Sequence, residues 1–321
     1  MKISKFFLSL FAGVCAFNTI VSGMIVIDTS YVDDANNAND STGYGRVTYE
    51  YYISTHEVTN AEYTDFLNAK GKSNAYGLWN SKMSSENLGG ITRSGSSGSY
   101  TYATKNSMGE KPVNFVSFWD AARFSNWLTN GQGDGDTETG MYTLGGVTNP
   151  DNETVAREQS AWTAGGVAIA NENEWYKAAY YDPEKDNVGG YWLYAHQSNS
   201  ISNTEANYNR GNLFNVGHFD DSDSYYGTYD QGGNLWEWIE DVGNTSSKRV
   251  RRGGGYGETD PNTLKASNRY QYTSTGENRT IGIRLTSLDP IPEPSAYSGI
   301  LGGLALAIAM VRRKGEATSD L

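Results

Sequence analysis

Tyr229-Asp-Gln-Gly-Gly-Asn-Leu-Trp-Glu-Trp-Ile-Glu240 places two indoles, three carboxylates and two glycines within twelve residues. Trp236 and Trp238 alternate with Glu237 and Ile239, and a period of two predicts a strand with different chemistry on its two faces. Gly232 and Gly233 permit a tight turn just before it. Such a turn lets backbone carbonyls approach a cation, while Asp230 and Glu237 supply carboxylates. The chain upstream reads as helices and loops folded around this strand, and the chain downstream as its pairing partners.

The ends of the 321-residue chain read as addresses. Lys2 and Lys5 precede an apolar run from Phe6 to Val21, and Val21-Ser22-Gly23 offers small residues for cleavage, the pattern of a secretory signal over residues 1–23. Cys15, the only cysteine, lies inside it. A domain over residues 24–289 would therefore hold no disulfide, thiol nucleophile or thiolate ligand. At the other end, Pro292-Glu293-Pro294 is followed by an apolar run from Ala296 to Val311 and then Arg312, Arg313 and Lys314.

The formal charge is −12, and removing both ends makes the remaining domain more acidic still. Such a surface repels phosphate backbones and argues against nucleic acid. It suits cations or neutral glycans. The abundance of Tyr, Asn, Gly and Ser fits a loop-rich recognition surface, and equally a solvated one.

Along the chain, strands are expected at Met24–Ile27 and Val47–Ile53, with an Asp/Asn-rich loop from Asp28 to Gly45 between them. Thr59 and Glu62 form a capping box for a helix from Asn60 to about Ala69. Residues 72–111 are glycine- and serine-rich, and an ordered surface excursion is expected there. Ser117 and Asp120 cap a second helix ended by Asn130-Gly131, and Asn171 with Glu174 caps a third. Asp134 to Gly140 reads as a polar loop. Three short strands are expected at Arg249–Tyr256, Leu264–Tyr270 and Ile281–Leu285. His56, His196 and His218 lack metal-ligand spacing and read as surface or structural histidines.

Seven segments in order resemble the formylglycine-generating enzyme, or sulfatase-modifying factor, family. They are Glu57-Val-Thr-Asn60, Pro112-Val-Asn-Phe-Val-Ser117 with Ala121-Ala122, and Asn173-Glu-Trp175 with Ala178-Ala179. Gly233-Asn-Leu-Trp-Glu-Trp238, Arg252-Gly-Gly-Gly255, Ser267-Asn-Arg269 and Ile281-Gly-Ile-Arg284 complete the series. The resemblance implies an α+β fold, an irregular, loop-rich relative of the C-type lectin domain with two to three helices and short antiparallel strands. The tail resembles a PEP-CTERM sorting signal over residues 290–321, implying a bacterial source, processing by an exosortase, and membrane contact only through the C-terminal apolar run. The destination would be the cell surface or an exopolysaccharide matrix.

The family's best-known activity uses copper held by two cysteines after the Arg-Gly-Gly segment. Here Gly255 to Thr263 contains no sulfur, and Cu(I) requires soft ligands, so no copper site is expected. The resemblance also implies a calcium held by Asp230, Gly233, Leu235 and Glu237, the glycine and leucine through backbone oxygen. A second calcium would involve Asn207 and Tyr208, although its aspartate is not identifiable in residues 209–215. The alternative is that Glu237 pairs with an arginine such as Arg252 or Arg269 and the tryptophans are core. The family's substrate groove would present Tyr256, Glu258, Asn268 and Arg269 to a glycan or protein segment. Three functions stay open: a non-catalytic binding or matrix module, a metal-dependent oxidoreductase with a non-cysteine site, and a calcium-stabilised structural surface protein.

Overall fold

The computed structural model describes residues 24–152 and 155–291. The proposed export signal, Pro292, Glu293, Pro294 and the apolar run behind them lie outside the described residues.

The first strand falls later than expected. Residues 24–28 are not a strand, because the Ile25 backbone is satisfied by a side chain: its N–H donates to Gln132 Oε1 at 2.7 Å and its carbonyl accepts from Gln132 Nε2 at 2.9 Å. Strand β1 is Thr29–Val32, inside the segment expected to be loop, and it pairs antiparallel with β2, Tyr51–Ser54. Helix α1, Asn60–Lys70, begins at the predicted capping box, with Thr59 and Glu62 bonding reciprocally, and closes at Gly71. The glycine-rich excursion contains a single helical turn, α2 (Lys82–Ser85), and a hairpin of β3 (Ile91–Ser94) with β4 (Thr101–Thr104).

Helix α3, Phe118–Thr129, starts at the Ser117–Asp120 capping box. It is buried on almost every side, so its polar residues need internal partners. The polar loop beside it supplies them. Glu138 pairs with Arg123 at 2.7 Å, and the Asn126 amide donates to the Thr137 carbonyl at 2.8 Å. A short helix that the sequence reading missed, α4 (Gln159–Thr163), precedes β5 (Ala168–Ile169). Helix α5, Glu172–Tyr180, carries the Asn171–Glu174 box and leads into the small pair β6 (Tyr181–Asp182) and β7 (Gly190–Tyr191).

The opening stretch becomes β8, Trp236–Val242, followed by β9, Lys248–Arg252. The strand expected over Leu264–Tyr270 is a 3-10 turn at Pro261–Leu264, started by Asp260, and β10 follows at Tyr270–Thr273. The last expected strand divides into β11 (Ile281–Gly282) and β12 (Leu285–Ser287), which join different sheets. One sheet has the order β1-β2-β12-β5 and the other β10-β9-β8-β11. Pairing is antiparallel except for β11, which runs parallel to β8.

Trp236 and Trp238 belong to the larger core, with α1, α3 and β5, while Ile239 and Trp175 belong to a second core under α5. Strand β8 is thus the wall between two apolar layers, and both its faces are buried. Among the described residues no helix is long and apolar enough to cross a membrane.

Candidate functional site

Glu237 faces the α5 side of the wall. Its carboxylate accepts from Arg284 Nε at 2.8 Å and Nη2 at 2.9 Å, and from the Trp175 indole at 2.5 Å. Glu237 and Arg284 have no exposed side-chain surface. The pairing alternative is therefore realised, though with Arg284 rather than Arg252 or Arg269. Those two arginines converge instead on Glu172, at 2.6 and 2.8 Å.

The turn before β8 is held from the α1 side. Glu57 accepts from the Leu235 N–H and from Asn234 Nδ2, both at 2.9 Å. Burial, with Asp230 and Glu237 nearby, pushes its carboxyl well above the usual carboxylate range. Asp230 accepts from the Gly217 N–H at 2.7 Å, and burial raises its pKa to about 6. Gly233 sits at φ 107°, and a Cβ there would lie 2.7 Å from the Asn207 carbonyl oxygen. Only glycine fits that turn.

These contacts bear differently on the two calcium sites. At the first, both oxygens of Glu237 are occupied, and a cation there would stand against the Arg284 guanidinium. Asp230, Gly233 and Leu235 do adjoin one another in the turn, but Glu237 does not fit the ligand role. At the second, Asn207 donates through Nδ2 to the Asn212 carbonyl and to Asn234 Oδ1, while its own Oδ1 is buried without a partner. An orphaned, buried amide oxygen fits a hard cation. Tyr208 follows it in the chain, buried beside Tyr194 and Leu264. Among the described residues no three His, Cys, Asp or Glu side chains form a metal-holding group.

On the other face Trp236 and Trp238 are core, and the groups toward the β10 edge, Arg251, Glu258 and Tyr270, reach solvent. Trp236 Nε1 donates to Glu258 Oε1 at 2.9 Å. The Arg251 guanidinium lies 4.7 Å from the Trp236 ring and 5.3 Å from that of Tyr272. Tyr270, 43% exposed on the edge strand β10, packs edge-on against Trp236 at 5.0 Å.

The four expected groove residues are not brought together. Glu258 lies on this face, and Tyr256 is buried beneath it beside Leu213 and Leu235. Arg269, just before β10, points to the opposite face from Tyr270, toward Glu172. Asn268 binds the Asn262 carbonyl at the turn between them. Sequence reasoning missed Arg251 and Tyr270 as surface formers over the buried Trp236. The available signal was the alternation of Arg249 and Arg251 opposite two tyrosines in the next strand.

The histidines stay apart in their contacts. His56 stacks on Tyr229 at 5.3 Å, His196 bonds the Ser200 carbonyl at 3.0 Å, and His218 lies on Phe214 at 4.3 Å. Burial lowers the pKa of His56 to about 4.

An irregular α+β domain with short strands, few helices and a site built from oxygen, nitrogen and aromatic groups defines a C-type-lectin-like class. Residues 19–287 match the model of the sulfatase-modifying factor enzyme 1-like domain, and the chain belongs to that family. Among solved structures it is similar to CarF, with 18% identity over 83% of this chain and 100% of that one and a TM-score of 0.57. It is also similar to the variable protein 1 of Treponema denticola, with 16% identity over 81% and 95% of the two chains and a TM-score of 0.55. These likenesses concern the fold. No curated protein matches.

Proposed function

We propose that this chain is a non-catalytic binding module, exported to the bacterial surface or into exopolysaccharide, whose ligand is a glycan held on the Trp236–Glu258–Tyr270 face. The observation that carries the reading is the Glu258–Trp236 bond. In the segment after Arg252-Gly253-Gly254, where the enzymes of the family place copper-binding cysteines, this chain has a carboxylate engaged with an indole. That pair cannot bind Cu(I) as thiolates do, but a carboxylate fixed by the buried indole beside an exposed tyrosine is suited to a sugar's hydroxyls and apolar face. Export and sorting are supported by the residues at the two ends of the sequence.

A calcium-stabilised version is favoured by the orphaned Asn207 Oδ1. Asn207 and the Tyr208 carbonyl would hold the ion, which would brace the loop packed against Gly233.

The test is binding of the purified chain to exopolysaccharide from the producing organism, with and without a chelator. Saturable binding lost in Tyr270→Ala supports the reading. Its absence in both conditions overturns it, and redox-active metal tightly held by the purified protein would favour the oxidoreductase instead.

A further inference from the structure

Arg251 is a cation of the Trp236 face whose side chain donates no hydrogen bond among the described residues. It is half-buried, and its guanidinium is held between the Trp236 and Tyr272 rings at 4.7 and 5.3 Å. Its Nε is fully covered without an acceptor, and among the described residues no oxygen accepts a hydrogen bond from its side chain. The other cations of the strand are used differently: Arg249 donates to Asn152 and to the Glu240 and Val155 carbonyls, and Arg252 to Glu172. A guanidinium immobilised by ring stacking has already lost its rotamer entropy, so an incoming acceptor gains a two-pronged contact at small ordering cost.

The surrounding groups narrow the ligand. Glu258 commits Oε1 to Trp236, leaving Oε2 to accept from a hydroxyl. The Tyr270 ring, exposed at the sheet edge, offers a flat apolar surface. Such a ligand carries a planar anion, at least one hydroxyl donor and an apolar face. The net charge of −12 works against polyanions and favours a sparsely charged one.

We propose that Arg251 is the specificity-determining residue of this face and that it selects a saccharide bearing a carboxylate, a uronic-acid unit, through a bidentate contact. The inference rests on the binding-module reading and narrows it from glycans in general to carboxylated ones. The groups that divide the work are Arg251 for the carboxylate, Glu258 for a neighbouring hydroxyl and Tyr270 for the ring face.

The test uses the full chain and three probes: an otherwise neutral tetrasaccharide carrying one glucuronate, its methyl ester, and a tetrapeptide carrying one glutamate. Calorimetric titration should show the free acid binding about tenfold or more tighter than the ester, as expected for a charge-assisted hydrogen bond. Arg251→Gln should abolish that difference with binding of the ester retained, and Arg251→Lys should restore part of it. Unchanged melting temperatures of the variants exclude misfolding as the cause. Equal binding of acid and ester overturns the carboxylate assignment while leaving the binding module standing. Binding of the peptide but of neither saccharide overturns the saccharide class, and binding of none of the probes overturns both this inference and the reading beneath it.

Discussion

Arg284 grips Glu237 with two nitrogens, at 2.8 and 2.9 Å, and neither side chain has any exposed surface. The guanidinium also donates to the Ser54, Thr55 and Tyr229 carbonyls. A single residue between β11 and β12 thus ties β8, β2 and the turn before β8 together. Removing one partner strands the other as a buried charge. Arg284→Met should cost about 3–5 kcal/mol in urea unfolding, whereas the Glu237→Leu/Arg284→Met double variant should cost less than the sum of the two single changes. Additive losses would show that the pair is not the unit of stabilisation.

Glu172 binds two arginines of unequal burial, Arg252 at 1% and Arg269 at 25% side-chain exposure. Arg269→Ala should therefore cost no more than about 1 kcal/mol, in the range of exposed pairs. Arg252→Ala, which also deprives the Ala266 and Asn268 carbonyls of their donor, should cost about 3 kcal/mol or more. Similar losses for the two in denaturant melts would contradict the ranking.

A half-buried histidine and a buried aspartate set opposing pH slopes. His56 has its pKa lowered to about 4 by burial and by Arg284, so unfolding takes up a proton below about pH 6.5 and stability is lost as pH falls through that window. Asp120 has its pKa raised to about 7 by burial and by Glu277, so the folded state keeps a proton that the unfolded state releases above about pH 4. That contribution is full at low pH and is lost as pH rises through about 7. Relative to the parent chain, His56→Gln should gain stability at pH 4 and Asp120→Asn at pH 8. Thermal melts across this range check both signs.

Calcium should raise the melting temperature of the parent chain by mass action. Asn207→Leu, which removes the orphaned oxygen, should abolish the rise even where its own melting temperature is lower. A calcium-induced rise that survives this change would place the ion elsewhere.

The sequence by itself determined the helices that begin at capping boxes, because Thr59 with Glu62, Ser117 with Asp120 and Asn171 with Glu174 bond within four residues. It determined the family through segments whose order survives any rearrangement of loops, and it located β8 by its alternation. Its only cysteine, Cys15, lies outside the described residues. Partners far apart in the chain were not legible: Ile25 with Gln132, Glu57 with Leu235, and Glu237 with Arg284 are separated by 107, 178 and 47 positions. Strand register was equally hidden, since a shift of one residue exchanges the two faces of a strand. Only tertiary packing turned Arg269 toward Glu172 and left Arg251 stacked between aromatic rings, because the alternation of side chains becomes a choice of face only when β9 and β10 are paired.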